Sequence, residues 1–185
     1  RVVIAMSGGV DSSVAAALLK QEGYECIGMY LNFWTDKPGC DTDCKTLPTN
    51  KCCTLESLDD ARRVAGELDI PFYVMDVETK FRQTVVDYFL QVYASGQTPN
   101  PCIQCNKNIK FGELLKRAQE LNADALATGH YAKVVKEKDG LYALYMARDK
   151  AKDQSYFLYH LNQEKLKHIL FPMGNLMKTE VYALA

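Results

Sequence analysis

The sequence predicts an α/β fold: an open, doubly wound parallel sheet, with a short β-hairpin after strand 4. Three observations predict it. Short apolar runs alternate with longer segments of helical period. A glycine- and serine-rich turn joins the first apolar run directly to a helix. The chain has 185 residues, 48% hydrophobic and 24% charged, enough to bury one sizeable core.

The elements follow in order. Residues 2–6, Val-Val-Ile-Ala-Met, read as a buried strand. Residues 11–21 read as a helix, with Val14, Ala15, Leu18 and Leu19 toward the sheet. Residues 26–33 form the second strand. Residues 34–53 are polar, with two prolines and a glycine, and read as a long excursion of the kind that is often functional or mobile. The helical spacing returns at residues 55–68 through Leu58, Ala61, Val64, Ala65 and Leu68, and residues 71–77 are the third strand. Phe81, Val85, Phe89 and Val92 then mark one apolar helix face that ends near Gly96. Pro99 and Pro101 exclude residues 98–102 from regular helix. Ile109, Leu114, Leu115, Ala118 and Leu121 predict a helix over 106–121, and 123–127 is the fourth strand, ending at Thr128-Gly129-His130. Residues 131–135 and 141–146 flank Lys138-Asp139-Gly140, a hairpin signal. Residues 1–160 are expected to be the catalytic domain and 161–185 the start of a helical connection to further domains. The chain starts directly at a strand and stops within a helical pattern, so it is expected to be an N-terminal fragment.

Twenty-two Lys and Arg against 23 Asp and Glu leave a net charge of −1, so no global field selects a nucleic acid or membrane partner. The balance is uneven, however. Residues 105–152 hold 10 basic and 6 acidic residues in an otherwise acidic chain, and Lys107, Lys110, Lys150 and Lys152 are among them. Such a segment suits phosphates, or is simply a solvated face. No apolar run approaches a membrane span and no signal peptide opens the chain, so the expected setting is cytoplasmic. The seven cysteines then read as thiols, metal ligands or redox partners before structural disulfides. Cys40, Cys44, Cys52 and Cys53 match no common tetrahedral zinc spacing, and an exposed loop is the first reading. Cys102 and Cys105 form a C-x-x-C, which also describes a metal knuckle or a structural pair.

The most specific motif is Ser7-Gly8-Gly9-Val10-Asp11-Ser12-Ser13, between strand and helix. Its glycines allow close backbone approach, its hydroxyls add donors, and the helix start adds oriented N–H groups, so it reads as a phosphate cradle. It has neither the lysine of a Walker A loop nor the G-x-G-x-x-G spacing. An aspartate beside a polyphosphate needs an intervening divalent cation, so Asp11 implies Mg2+.

This motif resembles the PP-loop ATP pyrophosphatases. With Thr98-Pro99-Asn100-Pro101-Cys102-Ile103-Gln104-Cys105-Asn106-Lys107, Ala127-Thr128-Gly129-His130-Tyr131 and Lys152-Asp153-Gln154-Ser155-Tyr156-Phe157-Leu158, the resemblance narrows to the tRNA-specific 2-thiouridylases of the MnmA/TrmU family. It covers essentially the whole chain in order. It implies that ATP adenylates the C2 oxygen of a tRNA wobble uridine in the anticodon stem-loop, and that persulfide sulfur then displaces AMP. Cys105 matches the family's nucleophile; beside Lys107 and at a helix start, its thiolate would be favoured. The ATP site would comprise Ala5, Met6, Ser7, Gly8, Gly9, Val10, Asp11, Ser12 and Ser13, with Leu31 and Gly129 lining the adenosine. Asn100, Pro101 and Cys102 match the stretch facing the target base, while His130, Lys152, Asp153 and Gln154 match tRNA-contacting positions. A persulfide donor protein is implied as partner, and no membrane.

Two departures bear on the catalytic pair. Many family members carry an aspartate at the position of Cys102, thought to assist proton transfer. Cys102 and Cys105 could instead hold an iron–sulfur cluster with a third cysteine outside the chain. The family's second catalytic cysteine lies beyond the equivalent of Ala185, so this segment alone is expected to bind ATP without completing thiolation. The alternatives are another PP-loop ligase or thiolase with a small substrate, and a non-catalytic nucleotide- or metal-binding domain.

Overall fold

The computed structural model describes residues 1–33 and 54–185; the excursion with Cys40, Cys44, Cys52 and Cys53 lies outside the described residues. The chain opens with β1 (Val2–Ala5), whose branched side chains suit a strand buried on both faces. Helix α1 (Val10–Gln21) follows, one residue longer at its start than the periodicity suggests, with Gly9 extended at its N-cap. After β2 (Cys26–Asn32) comes α2 (Leu55–Glu67), opened by a capping box in which Ser57 N donates to Thr54 Oγ1 and Thr54 N donates to Ser57 Oγ, both at 3.1 Å. β3 (Phe72–Asp76) leads into α3 (Glu78–Phe81), a π-helical turn at Arg82–Val86, and α4 (Asp87–Ala94). Next come α5 (Pro101–Cys105), a π-helical stretch at Asn106–Leu114, and α6 (Leu115–Glu120). β4 (Ala125–Thr128) precedes the hairpin β5 (Ala132–Lys136) and β6 (Tyr142–Met146). A 3-10 turn (Ser155–Leu158), α7 (Gln163–Leu166), β7 (Ile169–Leu170), a second 3-10 turn (Pro172–Asn175) and α8 (Lys178–Leu184) complete the described chain.

The main sheet has the order β3-β2-β1-β4-β7 and every pairing is parallel. Val2 lies opposite Cys26 on one side and Ala125 on the other. The chain winds outward from β1 through β2 to β3, then returns to place β4 on β1's other edge. This reversal makes the carboxyl ends of β1 and β4 the place where such sheets bind ligands. Alternation along β1 divides the core: Val2, Ile4 and Met6 pack with Ala16, Leu19, Ala61 and Ala65 of α1 and α2. Val3 faces the opposite layer with Ile109, Phe111, Leu114 and Ala118. Burying a side chain such as Phe111 or Leu114 contributes about 1.5–3 kcal/mol. No helix among the described residues is long and apolar enough to cross a membrane.

Two sequence expectations are corrected. Helix begins inside residues 98–102: Pro101 occupies its first position, where a missing N–H costs nothing, and Asn100 caps it by accepting from Ile103 N at 3.2 Å. Phe89 is not on the buried face; it is 39% exposed, because the π turn at Arg82–Val86 adds residues to the turn and rotates the apolar stripe. Residues 161–185 contribute β7 to the main sheet, and Val181 of α8 is buried with Val14 and Ala15 of α1.

Phe111 is fully buried among His130, His160 and Phe171, with ring centroids 5.8, 6.5 and 6.0 Å away. Burial, and then Lys110, push the His130 imidazole well below its ordinary range. Burial, then Lys165 and Lys107, push His160 down to about 4, and neither His160 ring nitrogen has a hydrogen-bond partner. The unfolded chain therefore binds more protons than the folded one below the ordinary histidine range near 6.5. Stability is fully present above that range and falls as pH drops toward about 4. Chemical denaturation at neutral pH and near pH 5 measures this loss. His160→Leu is expected to reduce the difference, and an unchanged difference would remove His160 from the account.

Candidate active site

A cavity of about 190 Å³ opens where β1, β2 and β4 end, walled by Ala5, Met6, Ser7, Asp11, Ser12, Leu31 and Gly129 among others. Seven of the expected nucleotide residues thus meet in one place. Gly8, Gly9, Val10 and Ser13 belong to the same loop and helix start but are not in the cavity wall. The loop is organised from within: Ser12 Oγ donates to Gly9 O at 2.9 Å and accepts from Ser7 N at 3.1 Å, and Ser13 Oγ also donates to Gly9 O. The first N–H groups of α1 have no partner within the helix, which leaves donors for an anion beside these hydroxyls.

Glycine is required twice here. Gly8 has φ +77°, and a Cβ there would collide with the backbone carbonyl of Ser57 at the start of α2. A Cβ on Gly129 would stand 2.9 Å from Asp11 C and Ser12 N, so the β4 end and the α1 start touch backbone to backbone.

Three of the walls come from residues that sequence reading had assigned elsewhere or not at all. His130 is buried, lines the cavity, and shares a 2.7 Å hydrogen bond between Nδ1 and Thr128 Oγ1. Gln154 also lines it and is fixed because its Oε1 accepts from Tyr131 N at 3.0 Å. Lys110, from the π-helical stretch, is the third. Asp153 has a different position: its carboxylate accepts from Ala147 N at 2.7 Å and Ser155 Oγ at 2.6 Å, bracing the segment between β6 and the 3-10 turn. Lys152 is exposed.

Lys178 was not anticipated. Its Nζ donates to Asp11 Oδ1 at 2.6 Å, and Tyr131 OH donates to the same oxygen at 2.7 Å. The Lys178 side chain is 18% exposed and lies 4.6 Å over the Tyr182 ring. Burial, with Asp11 beside it, raises the Tyr131 hydroxyl far above its ordinary range, so it remains a donor. A loop without a Walker lysine thereby acquires a cation from 167 residues further along the chain. No local spacing signals it; the only trace in sequence is a Lys at the head of the last helical pattern.

Cys102 and Cys105 stand on α5 three residues apart, hence on one side of it, Cys102 exposed and Cys105 half-buried. Pro101 starts that helix and Asn100 caps it, so both expected base-facing residues also fix the thiols' position. No group of three or more His, Cys, Asp or Glu among the described residues converges to hold a metal ion, so these residues alone do not make an iron–sulfur site. A phosphate-bound Mg2+ makes smaller demands, since one carboxylate such as Asp11 and phosphate oxygens suffice.

A family model described as the tRNA methyl transferase HUP domain matches residues 1–185. Among curated proteins, the chain is 54% identical over 185 residues to the "tRNA-specific 2-thiouridylase MnmA" of Geotalea uraniireducens, covering all of this chain and 49% of that protein. It is 50% identical to the protein of the same name from Geobacter metallireducens, again over all of this chain and 50% of the relative. The chain thus spans about half the length of the curated relatives it matches. Among solved structures, a predicted subunit of tRNA methyltransferase from Methanocaldococcus jannaschii aligns with TM-score 0.56 and 18% identity, over 99% of this chain and 72% of that one. An NH3-dependent NAD synthetase from Campylobacter jejuni aligns with TM-score 0.54 and 17% identity, over 100% of this chain and 62% of that one. At such identities the two structures speak to the fold alone, and they share the α/β architecture derived above. The full-length match to the family model, together with the glycine- and serine-rich loop at the sheet's switch point, shows that the chain belongs to the tRNA methyl transferase HUP domain family.

Proposed function

We propose that this chain is the ATP-binding part of a tRNA-specific 2-thiouridylase. The observation that carries the reading is convergence. The helix bearing Cys102 and Cys105 runs directly into the π-helical stretch whose Lys110 lines the same cavity as Ser7, Asp11 and Ser12. A phosphate cradle and a thiol on one continuous helix suit a reaction that activates an oxygen with ATP and then replaces it with sulfur.

The uridine C2 oxygen attacks the α-phosphorus, and the bond to pyrophosphate breaks. The loop hydroxyls, the α1 N–H groups and Lys178 offset the charge of the departing pyrophosphate. Asp11 is the carboxylate that would hold a Mg2+ ion, which would offset the phosphate charge. The terminal sulfur of a persulfide, charged by a donor protein on the second cysteine that the resemblance places beyond residue 185, then attacks C2; the C2–O bond breaks and AMP leaves, and the Cys105 thiolate attacks the inner sulfur, breaking the S–S bond, releasing 2-thiouridine and leaving a disulfide between the two cysteines. Cys102 is the nearby group for thiol or proton exchange. Gly129 and Leu31 border the adenosine, and buried His130 stays neutral as a wall rather than a charged contact. Lys152 belongs to the RNA-facing side, Gln154 lines the cavity itself, and the setting is the cytoplasm. The names of the 50–54% identical relatives support this reading over methyl transfer.

The test is transfer of labelled sulfur to unmodified tRNA by the full-length protein with ATP and Mg2+. The expected product is 2-thiouridine at the wobble position, formed only with ATP. Bound ATP with pyrophosphate release stimulated by a small substrate, and no label in tRNA, would replace this reading with a small-substrate ligase.

A further inference from the structure

The segment after β6 carries a feature the nucleotide chemistry does not use. Tyr156 and Tyr159 are each 67% exposed, three residues apart on and just beyond the 3-10 turn Ser155–Leu158. With three residues per turn, such positions lie on the same side. Each ring is braced by a perpendicular neighbour rather than covered by a stacked one. Tyr156 meets Phe157 at 79° with centroids 5.4 Å apart, and Tyr159 meets His160 at 82° and 6.1 Å. The turn is also anchored: Leu158 is fully buried, and Gln154, at its start, donates from its N to Tyr131 O at 2.8 Å. Asn106, next to Cys105, reaches across to Phe157 O at 3.5 Å, which sets the turn against the thiol-bearing helix.

The segments leading to the turn carry cations: Lys107, Lys150 and Lys152 are exposed. The two carboxylates of the segment are turned to structural use: Asp153 accepts from Ala147 N and Ser155 Oγ. Asp149 is buried, accepting from Ala151 N and Lys178 N. Exposed, braced aromatic faces in a lysine-bearing segment are the kind of feature that binds unpaired nucleotides, with bases on the rings and phosphates on the lysines.

Building on the tRNA reading, we propose that Tyr156 and Tyr159 form a stacking platform for unpaired bases of the substrate's loop beside the reacting nucleoside. The test is equilibrium binding of a fluorescently labelled anticodon stem-loop RNA to the full-length protein and its variants, with ATP binding as a parallel check of folding. Tyr156→Ala and Tyr159→Ala are each expected to weaken RNA binding about 10-fold. Tyr156→Phe and Tyr159→Phe, which keep the ring, are expected to retain binding, and ATP affinity is expected to be unchanged throughout. Alanine variants that bind the RNA as the parent does would overturn the platform and leave the tRNA reading standing. A parent protein that binds ATP but no RNA would overturn both.

Discussion

Lys178→Met is expected to lower ATP-dependent pyrophosphate release by about 10²- to 10³-fold, the cost of removing one positioned charge-stabilising group from a transition state. Lys178 Nζ stands 2.6 Å from Asp11 Oδ1, so the ammonium is already fixed at the phosphate loop. Methionine keeps most of the stem's packing over Tyr182 and removes only the cation. A charged hydrogen bond is also lost, worth about 1.5–3 kcal/mol of stability. The two roles separate in measurement. If Lys178 merely ties α8 to α1, thermal stability falls while kcat for pyrophosphate release is retained. If it acts on the developing pyrophosphate charge, kcat falls far more than KM for ATP rises.

The second large effect is expected from Gly8→Ala: loss of nucleotide binding and a destabilisation of about 3–5 kcal/mol, at the upper end for single substitutions. Its φ of +77° alone costs an L-residue about 1–2 kcal/mol. The larger part comes from the collision of the new Cβ with the Ser57 carbonyl. Relief requires moving the start of α2, whose Ser57 also holds Thr54 through the capping box and Tyr30 OH at 2.7 Å. Gly9→Ala is the matched control. Gly9 has φ −85°, and its added Cβ would meet only Ser7 Oγ at 3.5 Å, an ordinary contact. Chemical denaturation and ATP binding of the two variants should diverge sharply; equal behaviour would remove the steric account of the loop.

Much of this molecule was legible in the linear pattern. Apolar runs at residues 2–6, 26–33, 71–77 and 123–127 became β1 to β4: β1, β2 and β4 are continuously apolar because they lie inside the sheet, while β3 is an edge strand that leaves Tyr73 and Val74 exposed. The hairpin followed from Lys138-Asp139-Gly140, where Gly140 has φ +86° as its turn requires. The glycine- and serine-rich loop was legible because its parts are neighbours in sequence: glycines, hydroxyls and a helix start within seven residues. Cys102 and Cys105 were legible for the same reason.

What escaped was set by registration across the fold. β7 is two residues long, Ile169–Leu170, too short for a periodic signal, and it is a strand only because β4 presents a free edge. Phe89 follows the helical spacing, yet a π turn upstream redirected it to solvent. His130 and Gln154 became walls of the cavity at the strand ends because the β4 end and the turn before Ser155 meet there. Lys178 joined Asp11 only when β7 brought the last helix back onto α1. The sequence by itself determined the sheet, the cradle and the thiol pair, since each is built from residues within one turn or strand of each other. Only the tertiary structure decided which distant cation, imidazole and aromatic rings stand around them, because those positions depend on how separate elements pack rather than on any local spacing.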